Sequence, residues 1–212
     1  MWIKDQQTMK SNLRRVCVFC GSSPGEQTEY MDAAINLGNE LVRRDLELVY
    51  GGGDVGLMGI IANTVMSSGG KVIGVIPEFM TKKEVAHNHL TELHIVQSMH
   101  ERKAMMSELS DGIIALPGGI GTFEELFEVL TWQQLGIQSK PCALLNTRNY
   151  FEHLLKLMAH AVTEGFLKPV HQEMLMVGES AEQVVECLMK YEHSHTDKWA
   201  DDISIADQEK LI

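Results

Sequence analysis

The chain has 212 residues and a formal net charge of −11, with 44% hydrophobic and 22% charged residues. That length predicts one domain with a sizeable core, and the composition excludes disordered, collagen-like and coiled-coil chains. The acidic balance argues against nucleic acid or an anionic membrane as a partner, because such partners need clustered Lys and Arg to displace their counterions.

The first residues, MWIKDQQTMKSNLRR, lack the apolar segment of a secretion signal, so 1–14 read as a polar extension. No apolar run approaches the roughly 20 residues of a membrane-spanning helix, and a cytoplasmic location is expected. The four cysteines, Cys17, Cys20, Cys142 and Cys187, suit that location, being too few for a disulfide framework in a chain this long. Strands are predicted near 15–20, 46–50, 71–76, 93–97, 112–116, 141–145 and 174–177. Helices are predicted near 27–43, 57–68, 99–109, 122–136, 149–163 and 180–191. Cys17 and Cys20 form a CxxC within the first strand. Residues three apart on a strand face opposite sides, which predicts buried strand cysteines rather than a metal or redox pair.

Short apolar strands separated by amphipathic helices predict βαβ units. The expected fold is α/β: a single domain over 15–191, a doubly wound, Rossmann-like parallel sheet with helices on both faces. Residues 192–212 form a polar C-terminal tail, whose His193 and His195 lack the further ligands of a metal site.

In such sheets ligands bind beyond the carboxyl ends of the strands. Three strand ends carry small-residue turns: CGSSPG at 20–25, GGGDVGLMG at 51–59 and PGGIGTFEE at 117–125. Glycine lets the backbone approach a ligand closely, and the following helix points free N–H groups at the same spot. Main-chain amides can hold a phosphate there without a basic patch, which reconciles an anionic ligand with an acidic chain. Ser22, Gly51, Gly52 and Gly53 are candidate phosphate-loop residues beside the PGG turn. Neither glycine-dense loop is a Walker A, since both lack the Lys followed by Ser or Thr. Gly51, Gly53 and Gly56 satisfy GxGxxG, with Glu78 about twenty residues on, which keeps a nicotinamide reading open. That reading leaves the PGG loop without a role.

Thr122 and Glu125 are three apart and share a helix face, while Glu124 points away. They could form a capping box. A Glu one turn beyond a phosphate loop also falls where the sugar of a nucleotide would lie. In MHERK at 99–103, Arg102 could contact a phosphate or a carboxylate, and Lys103 could do the same or be solvated. Glu84 and the histidines at 87, 89, 94 and 100 show no metal spacing.

At these residues the chain resembles the LOG (LONELY GUY) family, the cytokinin riboside 5′-monophosphate phosphoribohydrolases. Their signature PGGxGTxxE reads here from Pro117 to Glu125 without departure, and GGGxxGLMG, MHxRK and TWxQLGI with KP (131–137 and 140–141) also match. The similarity runs from about residue 15 to 190. The resemblance implies hydrolysis of the N-glycosidic bond of AMP or of N6-modified cytokinin nucleotides to free base and ribose 5-phosphate, with no cofactor and no metal. It implies Arg102 and Glu125 as catalytic residues. It implies substrate contacts from Glu84, Lys103, Gly118, Gly119, Ile120, Gly121, Thr122, Phe123, Glu124 and Thr131. It also implies a homodimer, or an assembly of dimers, with both subunits near the site.

The chemistry agrees with that assignment. Cleavage builds positive charge on the ribose, which a carboxylate stabilises, and Glu125 can also activate the attacking water. Arg102 is too basic to protonate the departing base. Members often carry an older label as lysine decarboxylases, but nothing in the chain marks a Schiff-base lysine for pyridoxal phosphate. Two rival readings make different predictions. A non-catalytic nucleotide or molybdenum-cofactor carrier of the same fold would bind without releasing base. An NAD-dependent oxidoreductase would need a hydride-acceptor site, of which the sequence shows none.

Overall fold

A computed structural model describes residues 13–81, 86–87 and 89–191. Most of the 1–14 extension, Glu84, and the tail from residue 192 with His193 and His195 lie outside the described residues. Among the described residues there are seven strands, interspersed with α-helices except between β3 and β4: β1 Arg15–Phe19, α1 Thr28–Arg43, β2 Glu47–Tyr50, α2 Gly56–Ser67, β3 Val72–Pro77, β4 Glu92–Val96, α3 Met99–Glu108 and β5 Gly112–Ala115. They continue as α4 Ile120–Gln134, β6 Cys142–Leu145, α5 Glu152–Thr163, α6 Pro169–Gln172, β7 Leu175–Gly178 and α7 Ala181–Lys190. All pairings are parallel, in the order β4-β3-β2-β1-β5-β6-β7. The expected doubly wound sheet is therefore present.

Parallel strands covered on both faces read as continuous apolar runs, and β3 (VIGVIP) and β5 (GIIA) are buried throughout. The alternation of side chains divides the core. Val16, Val18, Leu48, Tyr50 and Ile114 pack with residues of α1, α2 and α7, while Cys17, Phe19, Val49, Ile113 and Leu144 pack with α3, α4 and α5. Cys17 and Cys20 fall in opposite layers, both buried and neither in a disulfide, as their spacing predicted. Among the described residues, no helix is long and apolar enough to cross a membrane.

The chain departs from expectation at three helices. Helix α4 begins at Ile120, two residues early, because the glycine turn closes it. Helix α5 begins at Glu152 rather than 149, because Arg148 and Asn149 hold left-handed backbone (φ 55° and 58°). That turn is stabilised by the Asn146 side chain, which accepts from Phe151 N at 2.8 Å. The short α6 escaped prediction, being a single turn opened by Pro169.

From β1 the chain winds through β2 and β3 to β4, then crosses back to lay β5 on the other side of β1. The strand order therefore reverses between β1 and β5, and the carboxyl ends of that pair form the expected ligand crevice. Gly21 N donates to Pro117 O at 3.1 Å, tying the two loops together across it.

Candidate functional site

A cavity of about 240 Å³ lies in this crevice, lined by Gly21–Gly25, Leu57, Pro117–Gly119, Tyr30 and Tyr150. Larger hollows of about 620 and 600 Å³ open at the amino ends of the strands and between α1 and the start of α7, and one of about 500 Å³ lies against Phe123, Phe127 and Tyr150. None of these three is lined by a glycine of the three loops, so the smaller cavity is the better-placed site.

The PGG loop uses its glycines in two ways. A side chain at Gly118 would overlap the Thr122 hydroxyl and crowd Gly21 N, so packing demands glycine there. Gly119 and Gly121 are different. A methyl group on either would meet nothing within 4 Å, and neither has a left-handed φ. Inside a helix glycine costs about 1 kcal/mol relative to alanine, so Gly121 is a local liability that the fold does not require. Phe123 N donates to Gly119 O at 3.1 Å, the first bond of α4, which leaves the amides of residues 119–122 ahead of it. No side chain caps this end. The Thr122–Glu125 capping box, one of the two readings of that spacing, is not formed, because the earlier start places Thr122 third in the helix, with its side chain buried under the turn.

Helix α3 starts in the opposite manner. Ser98 Oγ accepts from Glu101 N at 3.1 Å, and Glu101 Oε2 accepts from Gln97 N at 2.7 Å, so its own side chains satisfy the end. This fixed start delivers Arg102. The guanidinium is buried; Nε donates to Val75 O at 3.1 Å and Nη2 to Gly51 O at 3.0 Å, while Nη1 lies 3.6 Å from Met99 Sδ. It thereby ties the ends of β2 and β3 together.

The 51–59 loop is built around that guanidinium. A side chain at Gly51 would overlap Arg102 Nη2, and one at Gly56 would overlap the Ser22 backbone. Gly52 and Gly56 have φ of 77° and 57°, and Gly53 bridges to Ala86. Gly51, Gly52 and Gly53 are buried, whereas Ser22 is exposed at the crevice. Gly51, Gly52 and Gly56 thus have packing or backbone reasons of their own.

Glu125 is half-buried on α4, one turn beyond the open amides. Beneath it the Cys17 thiol is pushed well above the usual cysteine range, chiefly by burial and further by the Glu125 charge, with Arg102 opposing.

Lys103 is neither solvated nor turned to the crevice. It is 7% exposed, and its ammonium pairs with Glu124 and, at 3.0 Å, with Glu128 of α4. Burial, the largest influence, opposes the charge. The two carboxylates outweigh it and hold the ammonium above the usual lysine value. Thr131 also stands apart. Its hydroxyl donates to Phe127 O at 2.7 Å, twelve residues past Gly119 and hence about 18 Å along the helix. It lines an apolar groove of about 270 Å³ with Phe127, Leu157 and Phe166.

Sequence reasoning missed the aromatic side of the crevice. Tyr150 stacks on Phe123 (centroids 6.4 Å apart, planes at 20°) and meets Tyr30 edge-on at 5.9 Å. Its hydroxyl donates to Gly118 O. The available signal was a tyrosine just after the carboxyl end of β6. The described residues contain no group of three or more His, Cys, Asp or Glu placed to hold a metal ion.

Comparison with known proteins gives this geometry a family. A family model described as "Possible lysine decarboxylase" matches residues 58–188. The cytokinin riboside 5′-monophosphate phosphoribohydrolase LOG3 of Arabidopsis thaliana is 48% identical over 195 residues, covering 92% of this chain and 91% of that protein. The cytokinin riboside 5′-monophosphate phosphoribohydrolase of Rhodococcoides fascians is 50% identical over 176 residues, covering 82% and 89%. Among solved structures, the molybdenum cofactor carrier protein of Chlamydomonas reinhardtii superposes with a TM-score of 0.61 at 17% identity, covering 82% of this chain and 95% of that one. The molybdenum cofactor binding protein of Rippkaea orientalis gives 0.60 at 21% identity, covering 82% and 94%. These last two share the fold. The near-full-length identities, together with an uninterrupted PGGIGTFEE on an uncapped helix, make this chain a member of the LOG family of cytokinin riboside 5′-monophosphate phosphoribohydrolases.

Proposed function

We propose that this protein hydrolyses the N-glycosidic bond of a nucleoside 5′-monophosphate, either AMP or its N6-modified cytokinin forms, to free base and ribose 5-phosphate. The observation that carries the reading is the pair of glycines, Gly119 and Gly121, that the fold does not need, at a helix end with no side-chain cap. A phosphoryl group on the amides of residues 119–122 would gain charge-assisted hydrogen bonds and the helix dipole. The ribose then lies over α4, toward Glu125.

As the bond from C1′ to the base lengthens, its electron pair leaves with the base and positive charge grows on the ribose. The Glu125 carboxylate stabilises that charge and takes a proton from the water that bonds to C1′. Arg102, anchored on two carbonyls, supplies a fixed positive charge at the carboxyl ends of β2 and β3. The departing base gains one proton, so water and nucleotide balance against base and ribose 5-phosphate. A carrier role on the same fold has support only from neighbours at 17–21% identity.

The same reading includes a homodimer. Phe166 is 89% exposed and Leu157 63% exposed beside the groove that holds Thr131, an apolar face that a second copy would cover. Sedimentation of the purified protein should find two copies or a multiple of two.

Chromatography of products from AMP and isopentenyladenosine 5′-monophosphate tests the activity. Free base should appear, and Glu125→Gln should lower turnover by at least about 10² while still binding nucleotide, in line with the loss of a general base. Undiminished turnover by that variant would remove Glu125 from the mechanism, and no base release by the wild type would favour the carrier.

A further inference from the structure

We infer that Tyr150 is a positioning residue that aims the phosphate-binding amides of the PGG loop; this rests on the reading above, in which that loop holds the phosphoryl group. The Tyr150 hydroxyl donates to Gly118 O. That carbonyl belongs to the same planar peptide unit as the Gly119 N–H, and in a trans peptide the two point in opposite directions. Holding the carbonyl therefore sets where the first amide of the loop points. The constraint matters because this peptide is flanked by glycine on both sides, the sequence least able to fix its own orientation. A methyl group at Gly119 would meet nothing within 4 Å, so packing does not lock the Gly119 end of the peptide. A flip would aim a carbonyl dipole, instead of an N–H, at the anion.

The fold invests in placing this phenol. Two consecutive non-glycine residues, Arg148 and Asn149, adopt left-handed backbone just before it. The turn is held by Asn149 N on Asn146 O at 3.1 Å, by Tyr150 N on Thr147 O at 3.1 Å, and by an ion pair from Arg148 to Glu29. Phe123 and Phe151 then fix the ring, stacked at 6.4 Å and edge-on at 5.0 Å. The phenol therefore reaches Gly118 from β6, one strand beyond β5, whose end carries the loop.

The test is Tyr150→Phe, which keeps the ring and its stacking and removes only the hydroxyl. Calorimetry with ribose 5-phosphate and with inorganic phosphate should show affinity falling about tenfold, the order expected from one hydrogen bond that orients a charged contact. In steady-state assays KM for the nucleotide should rise by a similar factor, with kcat changing much less, and the thermal midpoint should stay within a degree or two. Unchanged phosphate affinity in Tyr150→Phe would overturn the proposal. So would an equal loss of affinity for the unphosphorylated riboside, since the phenol would then touch the sugar or base. A wild type that binds phosphate but releases no base would refute the proposed hydrolysis while leaving the Tyr150 comparison intact. A wild type that binds no phosphate would overturn both.

Discussion

The two glycine-dense loops, at 51–59 and 117–125, look equivalent in the sequence and differ in the folded chain. In the first, Gly51 makes room for the Arg102 guanidinium, Gly52 and Gly56 hold left-handed backbone, and Gly56 also passes against Ser22. Gly51, Gly52 and Gly56 are explained from within. In the second, Gly118 is explained by Thr122 and Gly21, but a methyl group at Gly119 or Gly121 would strike nothing in the chain. Their lack of side chains makes sense once a ligand comes close to the backbone. A glycine turn is therefore informative about function only after its internal reasons have been subtracted.

Alanine substitutions sharpen this contrast, because they should damage the two loops differently. Gly51→Ala should have the largest effect. The atom in the way is the end of a side chain, so the guanidinium yields and abandons its bonds to Gly51 O and Val75 O. Overpacking and lost hydrogen bonds should together cost about 2–4 kcal/mol of stability. Turnover should fall by more than about 10² if Arg102 acts as proposed, a loss in the range of a displaced catalytic group. Urea denaturation and a base-release assay read both. Gly121→Ala should behave in the opposite way toward stability. Its methyl meets open space in a helix, so the protein should be as stable as wild type or more stable by up to about 1 kcal/mol, while nucleotide affinity falls at least about tenfold. Equal destabilisation by both substitutions would erase the distinction between a packing loop and a binding loop.

Much of the architecture was legible because it depends on local pattern. The apolar runs that became β1 to β7 and the helical stripes between them are periodic, and parallel sheets make such runs continuous. The position of the crevice followed from glycines at strand ends. What the sequence could not reveal depended on partners distant along the chain. The helical pattern around 149 hid two left-handed residues, because Arg148 carries none of the signal that glycine would and Asn149 only a weak one. The Thr-x-x-Glu spacing at 122–125 suggested a cap, yet the glycine turn starts the helix before it. Tyr150 gains its place from the adjacency of β6 and β5, which spacing along the chain does not encode.

Lys103 provides the smallest and last test, because it joins the helix that carries Arg102 to the helix that carries Glu125. The resemblance to the family implies a substrate contact, whereas the structure has its charge engaged by Glu124 and Glu128. The ammonium is buried but Glu124 is 52% exposed, so solvent screens part of the attraction. Lys103→Met keeps the apolar stem and removes the charge, and should cost about 1–2 kcal/mol, or roughly 2–8 °C in thermal midpoint for a chain of this size. The pH dependence has a definite sign. The folded-state value for this ammonium is raised, with burial opposing and the two carboxylates prevailing. Its contribution is therefore fully present below the unfolded lysine value, about 10.4, and is lost as pH rises through the higher folded value. Wild type and Lys103→Met should differ in urea midpoint at neutral pH and converge above about pH 10.4. A variant of undiminished stability whose KM rises tenfold would instead assign the ammonium to the substrate, and the two helices would then owe their alignment to the sheet beneath them.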